Sequence, residues 1–169
     1  LLNGSIKYAF TEWLDMEVKG GADIYTTSTQ SKVYAGSNRA NAYSEGKQTF
    51  KETNYSFLVN ARKDDVFGKF GGVVTLGGNL MDRQSNSINV NVGSLAVPDV
   101  FSLGNGSSAP GVGQSVYHKK INSLYGSVGV NYDGYLYLDA TFRNDWSSAM
   151  IKANRSYFYP SFSLSYVLT

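Results

Sequence analysis

From Asn122 to Thr169 apolar and polar residues alternate with a period of two, which predicts three β-strands. The first places Leu124, Gly126, Val128, Val130 and Tyr132 on one face and Tyr125, Ser127, Gly129 and Asn131 on the other. After Asp133-Gly134 the second places Leu136, Leu138, Ala140 and Phe142 against Tyr137, Asp139, Thr141 and Arg143. The third places Phe158, Pro160, Phe162, Leu164, Tyr166 and Leu168 against Tyr159, Ser161, Ser163 and Ser165. Successive side chains leave a strand on opposite sides, so these strands make one uncharged apolar wall and one small, hydroxylated polar wall. Strands of that kind suit lipid on one side and water on the other.

The same test predicts four strands upstream. Leu2, Gly4, Ile6, Tyr8 and Phe10 share a face, and so do Leu14, Met16, Val18, Gly20, Ala22 and Ile24. The reverse side of the second strand carries Asp15, Glu17, Lys19 and Asp23, which an ordinary soluble core does not bury. Tyr55, Phe57, Val59 and Ala61 form the third face, and Phe70, Gly72, Val74, Leu76, Gly78 and Leu80 the fourth. Leu58 and Val73 fall on the otherwise polar sides of these two.

Short turns are expected at 11–13, 64–68 and 133–134, and long loops at 27–49, 82–120 and 146–156. Short turns alternating with long loops mark a bacterial outer-membrane barrel, with turns in the periplasm and loops outside. That order sends the first strand down, the second up, and the seventh down to Thr169. Aromatic pairs flank each turn (Phe10 and Trp13, Phe67 and Phe70, Tyr132 and Tyr135), where a headgroup-level girdle belongs. Strands of about ten residues, at ~3.3 Å each and tilted ~45°, rise ~23 Å, close to the apolar band of such barrels. The expected fold is therefore all-β: an antiparallel transmembrane β-barrel segment of about seven strands, with residues 1–169 part of one barrel domain. Seven strands leave two unpaired edges, which lipid does not tolerate, so further strands are expected outside this sequence or on another chain. Leu1 is not a start methionine and no signal region precedes the first strand, which fits a mature piece or a fragment.

Composition fits this picture. Glycine (18) and tyrosine (13) are abundant, and the mean hydropathy of −0.24 is what strands with every second residue in water produce. No apolar stretch reaches the ~18 residues of a spanning helix. A net charge of +2, with basic residues spread along the chain, gives no nucleic-acid footprint. The chain has no cysteine, and a single histidine, His118, with scattered aspartates does not make a metal site. His118 has no partner at a telling spacing, so neither an enzyme nor a cofactor is expected. Asn-X-Ser at Asn3, Asn54, Asn105 and Asn154 carries no glycosylation meaning in a bacterial surface protein.

Asp139, Arg143 and Asp145 fall at even spacing on the wet face of one strand. They either brace the wall or a plug, the plainer role, or contact a substrate. Trp146, beside them at the loop base, either stacks on a sugar ring or belongs to the outer aromatic girdle. The loop at 82–120 is rich in glycine, serine and apolar residues, and its Phe101 and Leu103 are candidates for contact with a lid or partner.

The run from Leu124 to Tyr132, followed by Tyr135 to Asp145, resembles the SusC/RagA family of TonB-dependent transporters. So do Ser147-Ser148, Asn154-Arg155 and the strand from Tyr157 to Tyr166, and Gly4 to Tyr8, Thr11 to Leu14 and Gly21 to Tyr25 are similar to an earlier hairpin of these barrels. The likeness is loose from Thr27 to Lys120, and no TonB-contacting segment, plug domain or terminal barrel strand is recognisable. The resemblance implies a plugged barrel of about 22 strands that imports large nutrients, glycans above all and peptides in some members. It also implies two partners, TonB through a segment absent here and a SusD-like surface lipoprotein acting as lid. An outer-membrane position adds the lipid bilayer and lipopolysaccharide. A passive porin or surface adhesin barrel is the first alternative, and a soluble β-sandwich binding module the second.

Overall fold

The computed structural model describes residues 1–151 and 155–168. Asn154 and the Thr169 end of the last expected strand lie outside the described residues. Seven strands are present: β1 (Leu2–Thr11), β2 (Leu14–Val33), β3 (Ala42–Phe67), β4 (Phe70–Val92), β5 (Gly111–Tyr132), β6 (Leu136–Ser147) and β7 (Ser156–Tyr166). They form one sheet in sequence order, β1 through β7, each strand antiparallel to the next. A single 3₁₀ turn, Leu103–Asn105, is the one helical element among the described residues.

β1, β2, β4 and β6 start where the alternation predicts, but β2 and β4 run on well past it, and β3 and β5 begin well before it, at Ala42 and Gly111. β2 runs 20 residues, β3 26, β4 23 and β5 22, so the loops expected at 27–49 and 82–120 shrink to 34–41 and 93–110. In these added stretches polar residues stand on both faces, so the backbone ladder persists without the apolar–polar signature, helped by β-branched residues such as Thr26, Thr27, Thr29 and Thr49.

The chain divides into two compact units. The first comprises Leu1–Ala22, Glu52–Asp82 and Lys119–Thr169. Its registers keep like with like: Val130 opposes Leu138 and Val128 opposes Ala140, while Leu138 opposes Leu164 and Ala140 opposes Phe162. Likewise Ile6 opposes Val18 and Tyr8 opposes Met16, before a bulge at Ala9–Thr11 ends the regular ladder. The apolar positions therefore form continuous rows, and the described residues leave them bare: Ile6 and Phe162 are each 77% exposed and Leu164 71%. A contiguous apolar face of that extent needs a medium or a partner of its own.

Glycines on this sheet are roofed by aromatic rings from the neighbouring strand. Phe57 lies over Gly78, Phe142 over Gly126, and, on the polar face, Tyr125 over Gly77. The ring shields a backbone that has no side chain of its own. The short turns are clipped together as well. Asp133 and Gly134 take positive φ angles of 51° and 71°, the geometry of a tight two-residue hairpin turn. The Asp133 amide donates to the Lys69 carbonyl at 2.8 Å, and the Lys69 ammonium bonds the Asp133 carboxylate. That bond, and then the carboxylate's charge, raise the lysine pKa above its ordinary 10.5, so the stability that Lys69 contributes is present below that ordinary value and is lost as pH rises past the raised one. Phe70, Tyr132, Tyr135 and Tyr166 make a chain of ring contacts at this end, with centroids 4.7–5.6 Å apart.

The second unit comprises Asp23–Lys51 and Arg83–His118. It holds the buried apolar residues Tyr43, Val92 and Leu95, against which Phe101 and Leu103 pack.

A side chain at Gly126 would put its Cβ 2.6 Å from the Phe142 ring and 3.0 Å from the Thr75 carbonyl oxygen, and that oxygen is backbone. Gly126→Val is expected to destabilise the intact protein by about 1–3 kcal/mol. Gly4→Ala, with nothing within 4 Å of the new Cβ, should leave the urea midpoint unchanged.

Candidate functional site

Between the apolar rows' two ends the charged side chains are confined to the polar face, and strand phase decides what reaches it. On β6, Tyr137, Asp139, Thr141, Arg143 and Asp145 share that side. Register sets Arg143 between Tyr125 and Tyr159, and Asp145 between Ser123 and Tyr157. The Arg143 Nε donates to both Asp145 carboxylate oxygens, at 2.9 and 3.1 Å, and one terminal nitrogen donates to Ser123 Oγ at 3.2 Å. The guanidinium also stands 5.7 Å over the Tyr125 ring, a cation–π contact. Ser123 is buried, while the Arg143 side chain remains half exposed. The group presents a cation backed by a carboxylate, with tyrosines on both sides: an arrangement able to bind a carboxylate or a hydroxyl-rich ligand.

Asp139 shares the face but not the group. Four residues separate it from Arg143, about 13 Å along the strand. It stands instead over Gly129, with Arg62, Asp64, Asn131 and Tyr137 around a shallow depression of about 170 Å³. Trp146 is out of phase with both: it pairs with Asn122 and Ser156 and belongs to the apolar side.

A third polar group crosses four strands. Lys7 pairs with Asp15 at 3.3 Å, Asn60 donates to Asp15 at 3.1 Å, and Thr75 donates to Asn60 at 3.1 Å. Lys19 pairs with Glu17 at 3.1 Å on the same side. Asn60, Thr75, Ser123 and Tyr125 are site residues that sequence reading missed. Their phase was legible, but the lateral pairing that brings them to the charged groups depends on register between strands.

In the second unit the loop 93–110 is ordered rather than slack. Asn105 is its hub: its side chain accepts from the Val97 amide at 3.1 Å and donates to the carbonyls of Val97 and Val100 at 2.8 and 2.7 Å. Leu95 bridges to Gly106, and the Asp99 carboxylate accepts from the Ala35 amide at 2.8 Å. Phe101 meets the Tyr34 ring edge-on at 4.8 Å, with the Lys32 ammonium 5.5 Å from its centre. Phe101 and Leu103 thus pack inward, and Val97 and Val100 are the loop's exposed apolar residues. Tyr43 donates its hydroxyl proton to Glu45, and that bond, with burial, holds the proton on above the usual tyrosine range.

No family model and no curated protein matches the chain. Among solved structures it is similar to the RagAB peptide transporter, with a TM-score of 0.84 and 18% identity. It is also similar to the RagAB peptide importer in its closed-closed and open-open states, at TM-scores of 0.83 and 0.84 and again 18% identity. Each match covers 95% of this chain and 18% of the other, so the chain spans under a fifth of the proteins it resembles. At that identity the likeness establishes the fold: seven antiparallel strands forming a segment of a β-barrel wall.

Asn105→Ala removes three hydrogen bonds to backbone, each worth about 0.5–1.5 kcal/mol, and is expected to open the loop 93–110 locally. Limited proteolysis should show cleavage there rising at least about tenfold, with the β6 and β7 strands still protected.

Proposed function

We propose that this chain is part of the transmembrane wall of an outer-membrane barrel that imports large nutrients, with energy supplied through TonB. The observation that carries the reading is the bare, uncharged apolar face held in register across β5, β6 and β7. The likeness to a peptide importer over nearly the whole chain supports it. The similar structures are described as peptide transporters, which favours peptides over glycans or oligosaccharides as the cargo.

In this reading the polar face lines the lumen. Arg143 and Asp145 contact passing substrate through the exposed part of the guanidinium, and Asp139 contributes from its own recess nearer the turns. The Lys7–Asp15–Asn60–Thr75 line braces the wall. Trp146 serves the outer aromatic girdle, because its phase turns it toward lipid. The loop 93–110 meets a SusD-like surface lipoprotein that closes over the mouth. Phe101 and Leu103 hold the loop in shape for that contact, and Val97 and Val100 provide the surface. Capture at the mouth, closure of the lid and movement of a plug drawn from the periplasmic side complete the cycle.

The test is uptake of labelled oligopeptides by cells carrying the intact protein. Uptake should disappear when TonB is removed, and uptake that persists without it would favour a passive pore. An exposed ion pair is worth about 0–1 kcal/mol, so Arg143→Gln and Asp145→Asn should leave stability nearly unchanged. Each is nevertheless expected to slow uptake severalfold, and normal uptake would reduce the pair to a brace. Leu138→Arg, on the apolar face, should cost about 2–4 kcal/mol near mid-bilayer, whereas Thr141→Arg on the lumen side should cost far less. Unfolding of the two variants in lipid vesicles compares them directly, and equal tolerance would mean the faces are misassigned.

A further inference from the structure

Where β5 and β6 leave the apolar band, their apolar side opens into a recess of about 340 Å³ lined by Lys120, Asn122, Trp146, Ser147, Ser148 and Arg155. Backbone hydrogen bonds fix its walls. The Lys120 amide donates to Ser148 Oγ at 2.8 Å, the Ser148 amide to the Lys120 carbonyl at 2.9 Å, and the Ser147 amide to the Arg155 carbonyl at 2.9 Å. The Lys120 ammonium lies 3.0 Å from the Asp82 carboxylate. Lys120 and Arg155 are thus the charged residues of the lining, and Asp82 pairs with the first of them from beside it.

Position decides what this charge is for. Lys120 and Asn122 are in phase with Leu124 on β5, and Trp146 is in phase with Phe142 on β6. The recess is therefore on the apolar side of the sheet, opposite Arg143 and Asp145, out of reach of cargo in the lumen. Trp146 lies about ten residues from Leu136 at the turn end, a rise of ~23 Å at a ~45° tilt, which is the height of the apolar band. The site therefore falls at the outer interface, where tryptophan settles and headgroups begin. Below it lie the exposed apolar side chains of Leu124, Phe142 and Phe158.

We propose that this recess binds the phosphorylated headgroup of an outer-leaflet lipid, with the lipid's acyl chains lying down the apolar face beneath it. The inference rests on the membrane reading above. Arginine offers a planar fork and lysine a point charge, the two ways side chains hold phosphate, and serine hydroxyls and the Asn122 amide add neutral donors. A free phosphate ion would use the cations but gain nothing from the apolar rows below. A lipid uses both.

The test is native mass spectrometry of the intact protein, titrated with bis-phosphorylated lipid A, with its dephosphorylated form, and with inorganic phosphate as competitor. Lys120→Gln combined with Arg155→Gln should weaken lipid A binding at least about tenfold, and the unaltered protein should prefer the phosphorylated form by a similar factor. Lys119→Gln removes one positive charge from the opposite face of β5 and should change binding less than about twofold. Equal binding by the double variant and the unaltered protein, both recovered from membranes, would overturn the site and leave the barrel reading intact. Displacement by inorganic phosphate at concentrations equal to those of the lipid would overturn the lipid as occupant. Recovery of the protein from buffer without detergent would overturn the membrane reading itself.

Discussion

A β-strand offers its side chains two faces, and neighbouring strands must agree on which is which. A slip of one residue would carry every apolar side chain of a strand to the wet side. In the first unit that agreement is the constraint on which the rest depends. Leu136, Leu138, Ala140 and Phe142 meet Tyr132, Val130, Val128 and Gly126 on one flank and Tyr166, Leu164, Phe162 and Pro160 on the other. The turn at Asp133-Gly134, with its two positive φ angles, sets the first of these registers. The aromatic rings laid over Gly78 and Gly126 fill the gaps that glycine leaves in the rows. Backbone hydrogen bonding supplies the ladder, and the phase of the side chains supplies the two faces.

The same phase sorts the chemistry. Arg143 and Asp145 meet Ser123 and Tyr125 because all four are odd-numbered positions on paired strands. Trp146, one residue beyond Asp145, is carried to the other side, next to Lys120 and Arg155. A single step along β6 thus separates the charged group of the polar face from the cationic recess of the apolar side.

Much of this was legible in the sequence, for a physical reason. Wherever one face meets an apolar medium, alternation is obligatory, and the stretches Leu2 to Phe10, Phe70 to Leu80 and Leu136 to Arg143 show it plainly. The outer parts of β2 to β5 were not legible, because residues such as Thr26 to Ser31 keep extended backbone with polar side chains on both sides. The loop expected at 82–120 was legible only as a long connection rich in glycine, serine and apolar residues, and the order of its 93–110 part was not. Its order comes from one side chain, Asn105, reaching three backbone groups, which composition does not reveal. The polar groups on the wet face were half legible: phase named Asp15, Asp139 and Arg143, but only pairing between strands brings in Asn60, Thr75 and Ser123.

The central claim is that the two faces of this sheet meet different media. Residues 1–169 contain no cysteine, so single cysteines can be introduced in turn at positions 136 to 146 of a cysteine-free form of the intact protein and spin-labelled. Collision rates with oxygen, which concentrates in lipid, and with a water-soluble nickel chelate should then alternate with a period of two and in opposite phase. Positions 136, 138, 140 and 142 should favour oxygen, and positions 137, 139, 141 and 143 the chelate. Equal access of the chelate to both sets, or alternation in the same phase for both reagents, would contradict the account.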